Sequence, residues 1–95
     1  MIEMLTLPIK KKWFDMIKCG DKLEEYRARS PYYESRFSKY MGKEITVKFR
    51  NGYRSDSPAI VCLVVPFLAP GRPEWGGKFD EVYWVLYIHN VKAVT

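Results

Sequence analysis

An α+β fold, a small and partly open β-barrel of about five strands with one helix after the first strand and a second short helix, is what this sequence predicts. Three observations lead there. Strand-like runs outnumber helical ones along the chain. With 95 residues there is room for one core and none for a second domain. Little length is left for repeated crossovers, which disfavours a doubly wound sheet.

The elements follow in order. Residues 4–9 read as a first strand, and Pro8 places it at an edge or ends it there, because proline donates no ladder hydrogen bond. From 11 to 19, Trp13 with Ile17 and Phe14 with Ile17 form one apolar face of a helix, and Gly20 stops it. A second strand is expected over 23–29. Ser30 and Pro31 open a second helix, serine capping and proline at the first helical position, with Tyr33, Phe37 and Tyr40 as its apolar stripe and Gly42 as its end. Over 44–50 the alternation is clean, Ile45, Val47 and Phe49 inward. Asn51 and Gly52 then give the dipeptide of a two-residue type I′ hairpin, although 53–57 is too polar for a long partner strand. The run 59–68, apolar on both faces and rich in β-branched residues, is a central strand in which Pro66 marks a bulge or the end. Two prolines and three glycines make 70–80 a loop, and 81–94 resumes as a long strand.

Composition narrows the class. The chain is 47% hydrophobic and 28% charged, a globular balance without the depletion that marks disorder. Its longest apolar run, 59–69, is far below the roughly 20 residues that span a bilayer, and no apolar h-region follows the N-terminus, so a cytoplasmic protein without membrane contact is expected, as a monomer. Cys19 and Cys62 lack CxxC spacing and have only His89 as a histidine partner. Neither a metal site nor a cofactor is expected, and the thiols are read as reduced. His89 itself reads as a satisfied structural residue of an apolar strand.

Chemistry concentrates in residues 20–27. Alternation on an extended strand sets Leu23, Glu25 and Arg27 on one face and Glu24 and Tyr26 on the other, with Lys22 at the strand's mouth. Two basic groups near one carboxylate can hold a polar ligand by charge-assisted hydrogen bonds; the plainer account is a surface ion pair on a solvated strand. The net charge of +5 leans toward an anionic partner, and basic residues alternate with aromatics at 10–13, at 22–29 and at 48–54. Such a mix of cationic groove and stacking rings binds single-stranded nucleic acid, while most of the rings also serve a small core. Candidate binding residues are therefore Lys22, Glu25 and Arg27; the hairpin tip Arg50, Tyr53 and Arg54; Lys10 and Lys12, which oppose the helix dipole and so are not there for helix stability; and Trp75, either stacking on a base or folding back as a plug over the barrel end.

The run Leu7 to Lys10, the Trp13 to Ile17 helix, then Gly20, Lys22, Glu25, Tyr26 and Arg27, with the later stretches from Phe49 to Tyr53 and from Pro73 to Gly76, resembles the ASCH domain family of the PUA-like superfamily, in its short single-domain bacterial and phage form. The resemblance covers nearly the whole chain. It implies a small partly open barrel with a cleft bordered by the first helix, and a partner that is RNA, another single-stranded nucleic acid or a modified nucleoside. Some relatives look like hydrolases, which implies an alternative in which Lys22 and Glu25, or Lys22 with Tyr26, act as a ribonuclease or nucleoside amidohydrolase. The amidohydrolase pattern has a threonine three places after the lysine, where this chain has Glu25, and a carboxylate does not replace an activated hydroxyl in acyl transfer. A protein-interaction module is a third alternative, since aromatic surfaces serve that too.

Overall fold

A computed structural model describes residues 4–94 of the chain. Strand β1 (Leu5–Pro8) leads into helix α1 (Lys11–Cys19), strand β2 (Glu24–Arg27) and helix α2 (Pro31–Phe37), which tightens into a 3-10 turn over Ser38–Tyr40. Strands β3 (Ile45–Arg50), β4 (Ala59–Pro70) and β5 (Val82–Val94) follow, with a second 3-10 turn at Pro73–Trp75 before the last. The strands form one mixed sheet in the order β1-β3-β4-β5-β2. Among the described residues β1 and β3 pair parallel and the other neighbours pair antiparallel. The sheet curls into a half-barrel, with β1 and β2 as its two edges.

Local chemistry explains most boundaries. Ser30 Oγ accepts from the Tyr33 N–H at 3.3 Å and Pro31 occupies the first turn of α2, so the cap forms as the sequence dictates. On β3, Ile45, Val47 and Phe49 are buried while the residues between them are half-exposed. They meet Leu7, Ile17, Phe37, Trp84 and Leu86 in one core, where Tyr33 and Phe37 stack at 5.6 Å and Tyr40 packs at the margin. Among the described residues no helix is long and apolar enough to cross a membrane.

Three expectations need correction. Asn51 and Gly52 do not form a two-residue hairpin. The β3 and β4 pairing begins at Arg50 and Ala59, leaving 51–58 as a loop, because Arg50 Nη1 binds the carbonyls of Ser55 at 2.7 Å and Ser57 at 2.9 Å and organises the longer turn. Pro66 neither bulges nor ends β4, which runs to Pro70; the register shifts lie earlier, between Val61 and Cys62 and between Leu63 and Val64. The Pro66 carbonyl accepts from the Gly42 N–H at 2.9 Å, away from β5. In an antiparallel strand a residue's N–H and C=O point to the same side, so the missing donor faces ground that β3 has already vacated, and the β4 and β5 ladder is untouched. His89, third, lies at the surface with its side chain 52% exposed, 3.5 Å from Glu44, and is no structural residue of the core.

Cys62 lies on β4 with no exposed surface, and burial pushes its thiol up from 9.0 to about 11. The neutral thiol is therefore favoured by folding: the contribution is complete below pH 9 and is lost as pH climbs through 11. Relative to Cys62→Ala, the wild type should lose about 2 kcal/mol of stability between pH 8 and pH 11, measured by urea unfolding. Parallel pH profiles for the two proteins would contradict this account.

Candidate functional site

Helix α1 ends in a manner that turns Lys22 inward. Gly20, at φ 88°, takes the left-handed position, and the N–H groups of Asp21 and Lys22 both return to the Met16 carbonyl, at 2.8 and 3.1 Å. Lys22 Nζ then lies 2.9 Å from Glu25 Oε1 and donates to the Trp75 carbonyl at 2.8 Å, with the Trp13 ring 4.0 Å away. On the other side Arg27 Nη2 meets Glu25 Oε2 at 2.7 Å, while the same guanidinium donates to the Pro8 carbonyl at 2.7 Å and the Tyr33 hydroxyl at 3.1 Å. Side-chain exposures of 1% for Lys22, 7% for Glu25 and 10% for Arg27 settle the surface-pair account: this is a buried network. Leu23 does not share the buried face. It is 53% exposed, because β2 begins only at Glu24.

The cluster carries two cations and one carboxylate, one positive charge in excess. Burial holds Lys22 below its usual range; Glu25 opposes that shift, and Arg27 and Lys12 reinforce it. Arg27 Nε is buried with no hydrogen-bond partner among the described residues. Beside the network, the Tyr26 hydroxyl donates to Glu24 Oε1 at 2.9 Å and accepts from the Arg72 N–H at 3.0 Å; burial and the Glu24 carboxylate push its ionisation well above the ordinary tyrosine value. It is held as a neutral phenol.

The loop after β4 closes over this network. Trp75 folds back, its indole N–H donating to the Asp21 carbonyl at 2.8 Å, with its ring half-buried. Gly76 is required twice over, by its φ of 90° and by contact, since a Cβ there would stand 2.7 Å from the Trp13 ring.

Along the seam between β1 and β2 runs a cleft of about 480 Å³. It brings together four of the candidates, Lys10, Glu25, Arg27 and Tyr53, from three stretches of sequence. Lys12 lies outside its lining, against Trp13 at 4.6 Å, and Lys22 and Trp75 sit beneath and beside it as structure. Arg50 and Arg54 line a second hollow of about 340 Å³, which shares Pro8, Gly52 and Tyr53 with the first. Trp13 and Tyr26 are cleft walls that the binding candidates lack, Tyr26 entering only under the hydrolase alternative. Trp13 reads as core from its place in the α1 stripe, and the flanking lysines at 10–12 were the available sign that this ring stands at a charged boundary. No group of three or more His, Cys, Asp or Glu side chains that could hold a metal occurs among the described residues.

Compared with family models, curated proteins and solved structures, the chain matches none.

Removing one partner of a buried ion pair costs about 3–5 kcal/mol, because a charge is left uncompensated. Glu25→Gln strands two cations, whereas Lys22→Met leaves the Glu25 and Arg27 pair balanced. Urea denaturation should therefore show Glu25→Gln to be the more destabilised by at least about 2 kcal/mol. An equal or larger loss in Lys22→Met would mean that the excess charge is not what the fold holds against burial.

Proposed function

We propose that this chain is an ASCH-type domain that binds RNA or another single-stranded nucleic acid, or a modified nucleobase, in the cleft between β1 and β2. The observation that carries the reading is the cleft's composition. A net-positive buried cluster backs it, Lys10 stands at its edge, and aromatic rings from α1, β2 and the 51–58 loop surround it. Phosphate is attracted by the cations and a base by the rings, the two contributions that sequence-tolerant single-strand binding combines. The volume of about 480 Å³ falls within the about 300–1,000 Å³ typical of small-ligand sites. Tyr53, 93% exposed, is the ring most open to stacking.

The same geometry disfavours hydrolysis by the groups that the family resemblance offers. Lys22 is sealed between Glu25, the Trp75 carbonyl and Trp13, out of a substrate's reach. Tyr26 is committed as donor to Glu24 and held neutral, which removes it as a base.

Arg27 is unsuited to a binding test, because it joins the sheet edges and pairs with Glu25. Exposed Lys10 and Tyr53 serve better. Fluorescence anisotropy with labelled single-stranded RNA, with single-stranded DNA and free modified nucleosides as competitors, should show affinity reduced about fivefold or more by Lys10→Ala and by Tyr53→Ala, with stability changed by no more than about 0.5 kcal/mol. For the RNA, log affinity should fall with log salt at about 0.7 per phosphate contacted. If none of the three ligand classes binds, or if both substitutions leave affinity unchanged, the reading fails.

A further inference from the structure

We propose that Tyr53 is a divider between two nucleotide subsites, so that the minimal ligand is a dinucleotide whose successive bases lie on either side of its ring. The inference rests on the nucleic-acid reading above and goes further in fixing the length of what is bound.

Two hollows meet at Tyr53, of about 480 and about 340 Å³, and both count Pro8, Gly52 and Tyr53 among their walls. Each falls within the size range of small-ligand sites, about 300–1,000 Å³. The Tyr53 side chain has no hydrogen-bond, ionic or ring partner among the described residues, although it is 93% exposed. A large ring left in water costs hydrophobic free energy that stacking on a base recovers. Its loop is nevertheless braced. Arg50 Nη1 binds the Ser55 and Ser57 carbonyls, the Asn51 N–H reaches the Pro58 carbonyl at 2.8 Å, and the Ser57 N–H reaches the Arg54 carbonyl at 3.0 Å. A ring on a braced loop loses little conformational freedom when it stacks.

The two hollows differ in charge. Glu25, Lys10 and Arg27 line the first, giving it both an acceptor and donors, as the edge of a base requires. Arg50, Arg54, Thr6 and Ser55 line the second, and no carboxylate does. Of the arginines, Arg50 uses only Nη1 in the loop, while Arg54 makes a surface pair with Asp56 at 3.2 Å, a bond weak enough to be exchanged for a phosphate. The first base therefore belongs in the Glu25 hollow, with the linking phosphate and second nucleotide on the Arg50 and Arg54 side.

Calorimetric titration of the wild-type chain with the four ribonucleoside 5′-monophosphates and the four corresponding 5′-phosphorylated homodinucleotides tests this, with deoxyribo homodinucleotides as a further arm. For at least one base the dinucleotide should bind about tenfold more tightly than its mononucleotide, the equivalent of one stacked base. Tyr53→Ala should bring that ratio close to one and Tyr53→Phe should preserve it; Arg54→Ala should lower it. Equal affinity for mono- and dinucleotide, or a ratio unchanged in Tyr53→Ala, would overturn the two-subsite inference while leaving nucleotide binding standing. Binding of none of the nucleotides would overturn the two-subsite inference together with the nucleic-acid form of the reading above.

Discussion

One guanidinium joins the two edges of this sheet. Strands β1 and β2 lie at opposite ends of the strand order and share no ladder, yet Arg27 of β2 donates to the Pro8 carbonyl of β1 across 2.7 Å. A side chain thus takes the place of a strand pairing that the half-barrel lacks. Glu25 balances the guanidinium in a setting where an uncompensated charge is costly to bury. Lys22 then returns the cluster to a net positive charge, held in place by the Trp75 carbonyl and the Trp13 ring. Seam, helix end and the loop before β5 are in this way parts of one polar assembly.

The seam also determines where the surface opens. A closed barrel has no unpaired edge, whereas here the gap bridged by Arg27 leaves room beside it for a cleft. Trp13 shows how closely scaffold and site are joined. Its ring packs against the core, receives Lys22, bears on Gly76 and still forms a cleft wall. No substitution there separates stability from recognition, while at Tyr53 the two are separable because that ring supports nothing else.

Much of this fold was legible in the residues. The alternation of 45–50, the Ser30 and Pro31 cap and the Gly20 stop are local signals, and local hydrogen bonds or burial of one face decide them. The Lys22, Glu25 and Arg27 spacing is local too, and the three side chains do come together. Their burial was not legible, because the group that seals Lys22 is a backbone carbonyl 53 residues away, which leaves no mark in sequence. Pro66 misled for a related cause: a proline's effect on a strand depends on which side its nitrogen faces, and only the positions of β3 and Gly42 fix that side. At 51–52 the strong hairpin dipeptide was overruled by Arg50, whose guanidinium gathers carbonyls up to seven residues on. The arginines and tyrosine at 50–54 form a projecting tip only in part, since Arg50 is occupied within the loop while Tyr53 and Arg54 project.

The strand order carries a consequence for assembly. Three strands, β3, β4 and β5, follow one another as an antiparallel meander, so their contacts close over short and moderate loops. The segment before them runs through β1, α1 and β2 and places its two strands on opposite margins of that meander, although Pro8 and Arg27 are only 19 residues apart in sequence. It behaves as a clasp. The meander's strands pair with one another, whereas the two N-terminal strands need its opposite margins to pair with, so the cleft exists only where that segment is in place. A chain whose N-terminal segment came away would keep most of its sheet and lose the cleft.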